Sequence, residues 1–123
     1  MLDTKQIIEA AKNQTNLDYF GNPLFLEGFE CLIQSINLEA DLNDIGIEAQ
    51  KGRLIGILAN LLRIEHAFIQ KPEILFEEIN SPVVIVGLPR TGSTMTHRLL
   101  ASDPRHTAML WWEGRYPAML PDE

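Results

Sequence analysis

Ser81–Leu100, SPVVIVGLPRTGSTMTHRLL, is the stretch from which the fold is read. Val83, Val84, Ile85 and Val86 form an unbroken β-branched run. Such a run predicts a strand buried on both faces, as inside a parallel sheet. Gly87 and Pro89 stop it. Gly92, Ser93 and Thr94 open a helix whose apolar positions Met95, Leu99 and Leu100 are expected to pack back on that sheet. A strand, a glycine turn and a helix N-terminus together make an anion cradle. The first N–H groups of the helix have no intrahelical acceptor, and the helix dipole adds positive potential beside them.

The glycine spacing resembles the nucleotide-binding P-loop, G-x-x-x-x-G-K-[ST]. Gly87 and Gly92 take the glycine positions and Thr94 the hydroxyl position, but Ser93 stands where the lysine would be. A kinase or ATPase needs that lysine on the β- and γ-phosphates and the next hydroxyl on Mg²⁺. Here the cation of the loop is Arg90. The combination suits a phosphate-bearing donor whose reaction has no γ-phosphate.

Gly87–Pro104, GLPRTGSTMTHRLLASDP, resembles the 5′-phosphosulfate loop and following helix of sulfotransferases that use 3′-phosphoadenosine 5′-phosphosulfate (PAPS). The likeness is to the bacterial branch, with its PRTGTT-like loop, Leu-Leu-His-type helix, Asp-Pro stop and later Trp-Glu pair. Here these are Pro89–Thr94, Met95–His97, Asp103-Pro104 and Trp112-Glu113. The departures are Ser93 for a threonine and Met95-Thr96 for an apolar pair. The motif matches run from about Pro82 to Glu113, and the helical N-terminal part is similar less specifically.

The resemblance implies an α/β fold. A three-layer, P-loop-like parallel sheet is expected to begin with the strand at 82–86, after an N-terminal helical layer, in a chain that looks truncated. It divides the chain into a helical cap at 1–80 and the incomplete start of a sulfotransferase domain at 81–123. It implies sulfuryl transfer from PAPS to a hydroxyl or amine, with no metal, and a fragment inactive alone. Pro89, Arg90, Thr91, Gly92, Ser93 and Thr94 would bind the donor, Arg90 also stabilising charge on the leaving oxygen. Glu113 is the first candidate for the base, since related protein-tyrosine sulfotransferases place a glutamate at a similar distance. The alternative for Glu113 is a brace paired with Arg105 or Arg115. His97 is the second candidate base. The acceptor would be a small molecule or a glycan- or lipid-like compound, and a homodimer is compatible. Two other readings stay open: a P-loop phosphotransferase using ATP, and a non-catalytic helical interaction module.

Composition narrows the classes further. Residues 1–80 carry 13 acidic and 6 basic side chains, whereas residues 81–123 carry 4 of each. An acidic N-terminal part argues against a nucleic-acid surface. In the second part every base is an arginine (Arg90, Arg98, Arg105, Arg115), which suits a small anionic ligand. Cys31 is the one cysteine, so there is no disulfide framework, and its apolar neighbours predict a buried site. The start has no basic region followed by an apolar run, and Leu54–Leu62 is too short to span a bilayer. The expectation is a soluble, cytoplasmic protein without a membrane span.

Upstream, Asp3 or Thr4 caps a first helix to about Lys12, and Asn22 caps a second with Pro23 at its first position. The apolar stripe of the second is Leu26, Phe29, Leu32, Ile33 and Ile36. A third helix runs from about Ile47 to Gln70, with Leu54, Leu58, Leu61 and Phe68 on one face, widened by Ile57 and Ile64. Pro72–Phe76 is a short helical turn. Asp103-Pro104 ends the helix after the loop, and Thr107–Leu110 reads as a second strand. Trp111 and Trp112 read as core.

Overall fold

The computed structural model describes residues 1–118, and these fall into two units, Met1–Leu75 with Ala118 and Phe76–Pro117. The first unit holds three helices, α1 (Thr4–Thr15), α2 (Phe25–Glu39) and α3 (Asp44–Gln70), followed by a 3₁₀ turn at Pro72–Phe76.

Short polar side chains set where these helices begin. Asp3 caps α1, its Oδ1 accepting the Gln6 N–H at 2.8 Å. The helix runs to Thr15, past Lys12, because Asn16 supplies the left-handed exit at φ +54°. Asn22 does not cap α2 directly. Its Oδ1 accepts the Leu24 N–H at 3.0 Å, and the Leu26 N–H reaches the Pro23 carbonyl at 3.0 Å. Pro23 therefore lies in a lead-in turn, and the helix starts at Phe25. The third helix begins earlier than Ile47, because Asn43 Oδ1 accepts the Gly46 N–H at 2.8 Å. A reciprocal pair ties the N-terminus to α2: Leu2 N–H donates to Asn37 Oδ1, and Asn37 Nδ2 donates to the Leu2 carbonyl, both at 2.8 Å.

The core is a set of narrow ridges spaced by four residues: Ile7 and Ala11 on α1, Phe29 and Ile33 on α2, and Leu54, Leu58 and Leu62 on α3, with Leu2. An i, i+4 row runs nearly along a helix axis, so each helix offers one row to its neighbours. Most of the α1 contact is with α3, and less is with α2. Phe20 and Phe25 extend the cluster with ring centroids 5.5 Å apart. The broader stripes expected from sequence are not all buried. Leu32 and Ile57 stand exposed at the margins, and Cys31 is exposed rather than in the core. At about 100° per residue, Cys31 is roughly 200° around α2 from Phe29. Its apolar neighbours in sequence are thus not its neighbours in space.

Leu62 is completely buried. Leu62→Ala is expected to cost about 2–5 kcal/mol and lower the melting temperature sharply. Leu32→Ala, at an exposed margin of α2, should change stability by only about 0.5 kcal/mol. Equal shifts for both in thermal melts followed by circular dichroism would contradict the ridge core.

The second unit contains α4 (Ser93–Ala101) and α5 (Trp111–Arg115). Here the fold expectation is corrected: the described residues contain no strand, and the parallel sheet expected to begin at 82–86 is absent. Val83, Val84 and Val86 are 72–88% exposed instead of buried on both faces. A strand is defined by hydrogen bonds to a neighbour, and no second segment pairs with this one among the described residues. Thr107–Leu110 likewise forms no strand. Met95 and Leu99 on α4 stand exposed rather than packed on a sheet, and Trp111 and Trp112 are surface residues, not core. Among the described residues no helix is long and apolar enough to cross a membrane.

Candidate functional site

The loop between Gly87 and α4 is built by close approach and by two left-handed residues. Thr91 Oγ1 donates to the Leu88 carbonyl at 2.7 Å, drawing the turn back on itself. A Cβ at position 87 would lie 2.8 Å from that Oγ1, so a larger residue there would push the Thr91 hydroxyl off this bond. Arg90 has φ +64° and Gly92 φ +90°. The left-handed region suits Gly92 and strains Arg90 by about 1 kcal/mol or more. Gly92 then caps α4, its carbonyl accepting the Thr96 N–H at 3.0 Å and Thr96 Oγ1 at 3.3 Å. The N–H groups of Ser93, Thr94 and Met95 precede that first closing bond and have no acceptor within the helix.

Arg90, Gly92, Ser93, Thr94, Met95 and Arg98 line one open hollow of about 490 Å³ in front of this helix start. Four residues expected from sequence thus meet there: Arg90, Gly92, Ser93 and Thr94. Pro89 and Thr91 belong to the turn that shapes the loop but do not line the hollow. His97 is exposed on α4, one turn after Ser93, and also lies outside the lining. Arg98 and Met95 are additions. Arg98 follows Thr94 by one helical turn, so the spacing of four was the available signal. For Met95 the sequence predicts only an apolar packing position.

Glu113 is the third residue of α5, and its Oε2 accepts the Leu110 N–H at 2.6 Å. The carboxylate therefore braces the start of its own short helix. This partner differs from the arginines expected for a brace. Arg105 is engaged by Asp103, with Nη2 to Oδ2 at 2.6 Å and Nε to Oδ1 at 3.0 Å. That guanidinium, with the Arg105 backbone N–H, holds the Asp103 carboxyl down at about 2. The pair clamps the turn that ends α4 at the Asp-Pro stop.

The donors around the hollow are backbone N–H groups, two hydroxyls and two guanidiniums, and among the described residues no carboxylate lines it. This defines a class of site, a glycine-turn loop before a helix N-terminus with the chemistry to hold an anion. Residues 82–121 match the model of a sulfotransferase family. The chain is also similar to sulfotransferase STF1 from Mycobacterium tuberculosis H37Rv, seen in its crystal structure, with a TM-score of 0.86 and 31% sequence identity. That similarity covers 94% of this chain and 32% of the mycobacterial one, so the chain spans about a third of the solved protein's length. No curated protein sequence matches the chain. The two matches together support a sulfotransferase family for this chain, which corresponds to the N-terminal part of such a protein. The resemblance carried by Pro89–Thr94, Asp103-Pro104 and Trp112-Glu113 is thereby upheld.

Proposed function

We propose that this chain carries the donor-binding loop of a PAPS-dependent sulfotransferase acting on a hydroxyl or amine of a small-molecule, glycan- or lipid-like acceptor. One observation carries the reading: the loop Pro89–Thr94 lies inside the family match at 82–121, and its Arg90, Gly92, Ser93 and Thr94 line the hollow before α4 together with Arg98 and Met95. The residues fit an anionic donor, because a glycine at 87 permits the close turn and Gly92 aims the first turn of α4 into the hollow.

PAPS would supply the activated sulfuryl group. The N–H groups of Ser93, Thr94 and Met95 would bind its 5′-phosphate, with the Ser93 and Thr94 hydroxyls as further donors. Arg90 would place its charge where the leaving oxygen develops negative charge. Its permanent charge makes it an electrostatic stabiliser and not a proton donor. Glu113 would take the acceptor proton, with His97 as second candidate. Glu113 Oε2 is engaged by Leu110, so Oε1 is the oxygen left for that task.

Ser93 at the lysine position argues against the ATP-dependent phosphotransferase reading, since that chemistry needs Mg²⁺ and the lysine. Calorimetry on the full-length protein with adenosine 3′,5′-bisphosphate should give the same affinity with and without chelator. Binding abolished by chelator would return the loop to the phosphotransferase class. Failure to bind under either condition would favour the non-catalytic module.

A further inference from the structure

We infer that Arg98 is a second donor-binding cation, setting affinity for the nucleotide rather than the rate of transfer. The inference rests on the sulfotransferase reading above and extends it to a residue outside the loop motif. Arg98 lies on α4 one turn after Thr94 and lines the same hollow as Arg90, Ser93 and Thr94. Helical side chains lean toward the N-terminus, so a long arginine at this position reaches back toward the free N–H groups of the first turn.

The charges of this unit separate cleanly. Arg105 is clamped by Asp103, and Arg115 lies 5.7 Å from the centroid of the Tyr116 ring. Glu113 Oε2 accepts the Leu110 N–H. Among the described residues no carboxylate lies within ion-pair distance of Arg90 or Arg98. Two guanidiniums share one hollow that no carboxylate among the described residues lines, beside a helix N-terminus. Their mutual repulsion is relieved by an anion carrying more than one negative charge, such as a nucleotide bisphosphate.

The two arginines differ in how they are held. Arg90 is fixed in a left-handed turn immediately before the cradle. Arg98 is exposed on a regular helix with a flexible stem. A solvated cation away from the reacting atoms attracts the donor equally in ground and transition states, which affects binding and leaves the chemical step unchanged.

The test is titration of the full-length protein with adenosine 3′,5′-bisphosphate at several salt concentrations, for the natural sequence, Arg98→Gln and Arg98→Lys. Arg98→Gln should weaken binding about tenfold and flatten its salt dependence, with an unchanged melting temperature. Arg98→Lys should recover most of the affinity, and kcat at saturating donor should stay within about twofold in both. Arg98→Gln binding within about twofold of the natural protein would overturn the inference while leaving the sulfotransferase reading intact. So would an equal loss in Arg98→Lys with an unaltered salt dependence, which would mark a packing role. No binding by the natural protein would overturn both.

Discussion

Arg90→Ala is expected to lower kcat by about 10²–10³, with a much smaller change in donor affinity. The reason is where the guanidinium sits. The turn places Arg90 two residues before Gly92, at φ +64°, directly ahead of the N–H groups that open α4. On the proposed reading, a charge held there would stabilise the leaving group only as its negative charge grows, and an effect confined to the transition state falls on kcat. The loss corresponds to roughly 3–4 kcal/mol. Arg90→Lys should recover part of it, because the charge returns without the planar fork. Arg90→Gly isolates the backbone from the side chain. Glycine relieves the left-handed strain, so Arg90→Gly should be at least as stable as Arg90→Ala while losing as much activity. Steady-state kinetics with a known acceptor, read beside melting curves, checks both points. An Arg90→Ala enzyme with normal kcat and raised donor KM would move Arg90 from the chemistry to simple binding.

Glu113→Gln is expected to lower kcat by about 10²–10⁴ while donor affinity and melting temperature barely move. The cap makes this substitution informative. Leu110 donates to Glu113 Oε2 at 2.6 Å, and a glutamine carbonyl oxygen can accept the same bond. The brace of α5 therefore survives Glu113→Gln, and only basicity is removed. Glu113→Ala removes both, so its extra loss of stability measures the cap, typically about 0.5–2 kcal/mol. If Glu113→Gln keeps kcat within a few-fold and Glu113→Ala only lowers the melting temperature, Glu113 is a brace alone. His97→Asn then becomes the substitution that tests for the base.

The loop and the helix boundaries were legible for a local reason. A glycine-bearing turn, a capping side chain or an Asp-Pro stop acts through bonds a few residues long, whatever surrounds it. Gly87, Gly92 and Thr91 thus shape the turn before α4, and α4 ends at Ala101, just before Asp103-Pro104. Even these local readings differ from the structure by a few residues at the helix starts. Asn43 captured the start of α3, and Asn22 made a turn ahead of α2 instead of capping it.

Burial was not legible, because it depends on what lies opposite each face. Val83–Val86 has the composition of an interior strand, but a strand exists only with a pairing partner, and the described residues supply none. Cys31 and Leu32 have apolar neighbours in sequence, but α2 buries only the Phe29–Ile33 row. The convergence of Arg98 with Arg90 on one hollow, and the use of Glu113 on the Leu110 N–H, likewise follow from side-chain placement. The sequence by itself determined the glycine-bearing loop, its missing lysine, its family likeness and the helical character of the N-terminal part, since each rests on local hydrogen bonding and residue chemistry. Only the three-dimensional structure decided which apolar rows are core, because packing acts between residues far apart in the chain, and which charges share the hollow, because that depends on how the loop and the first turns of α4 place their side chains.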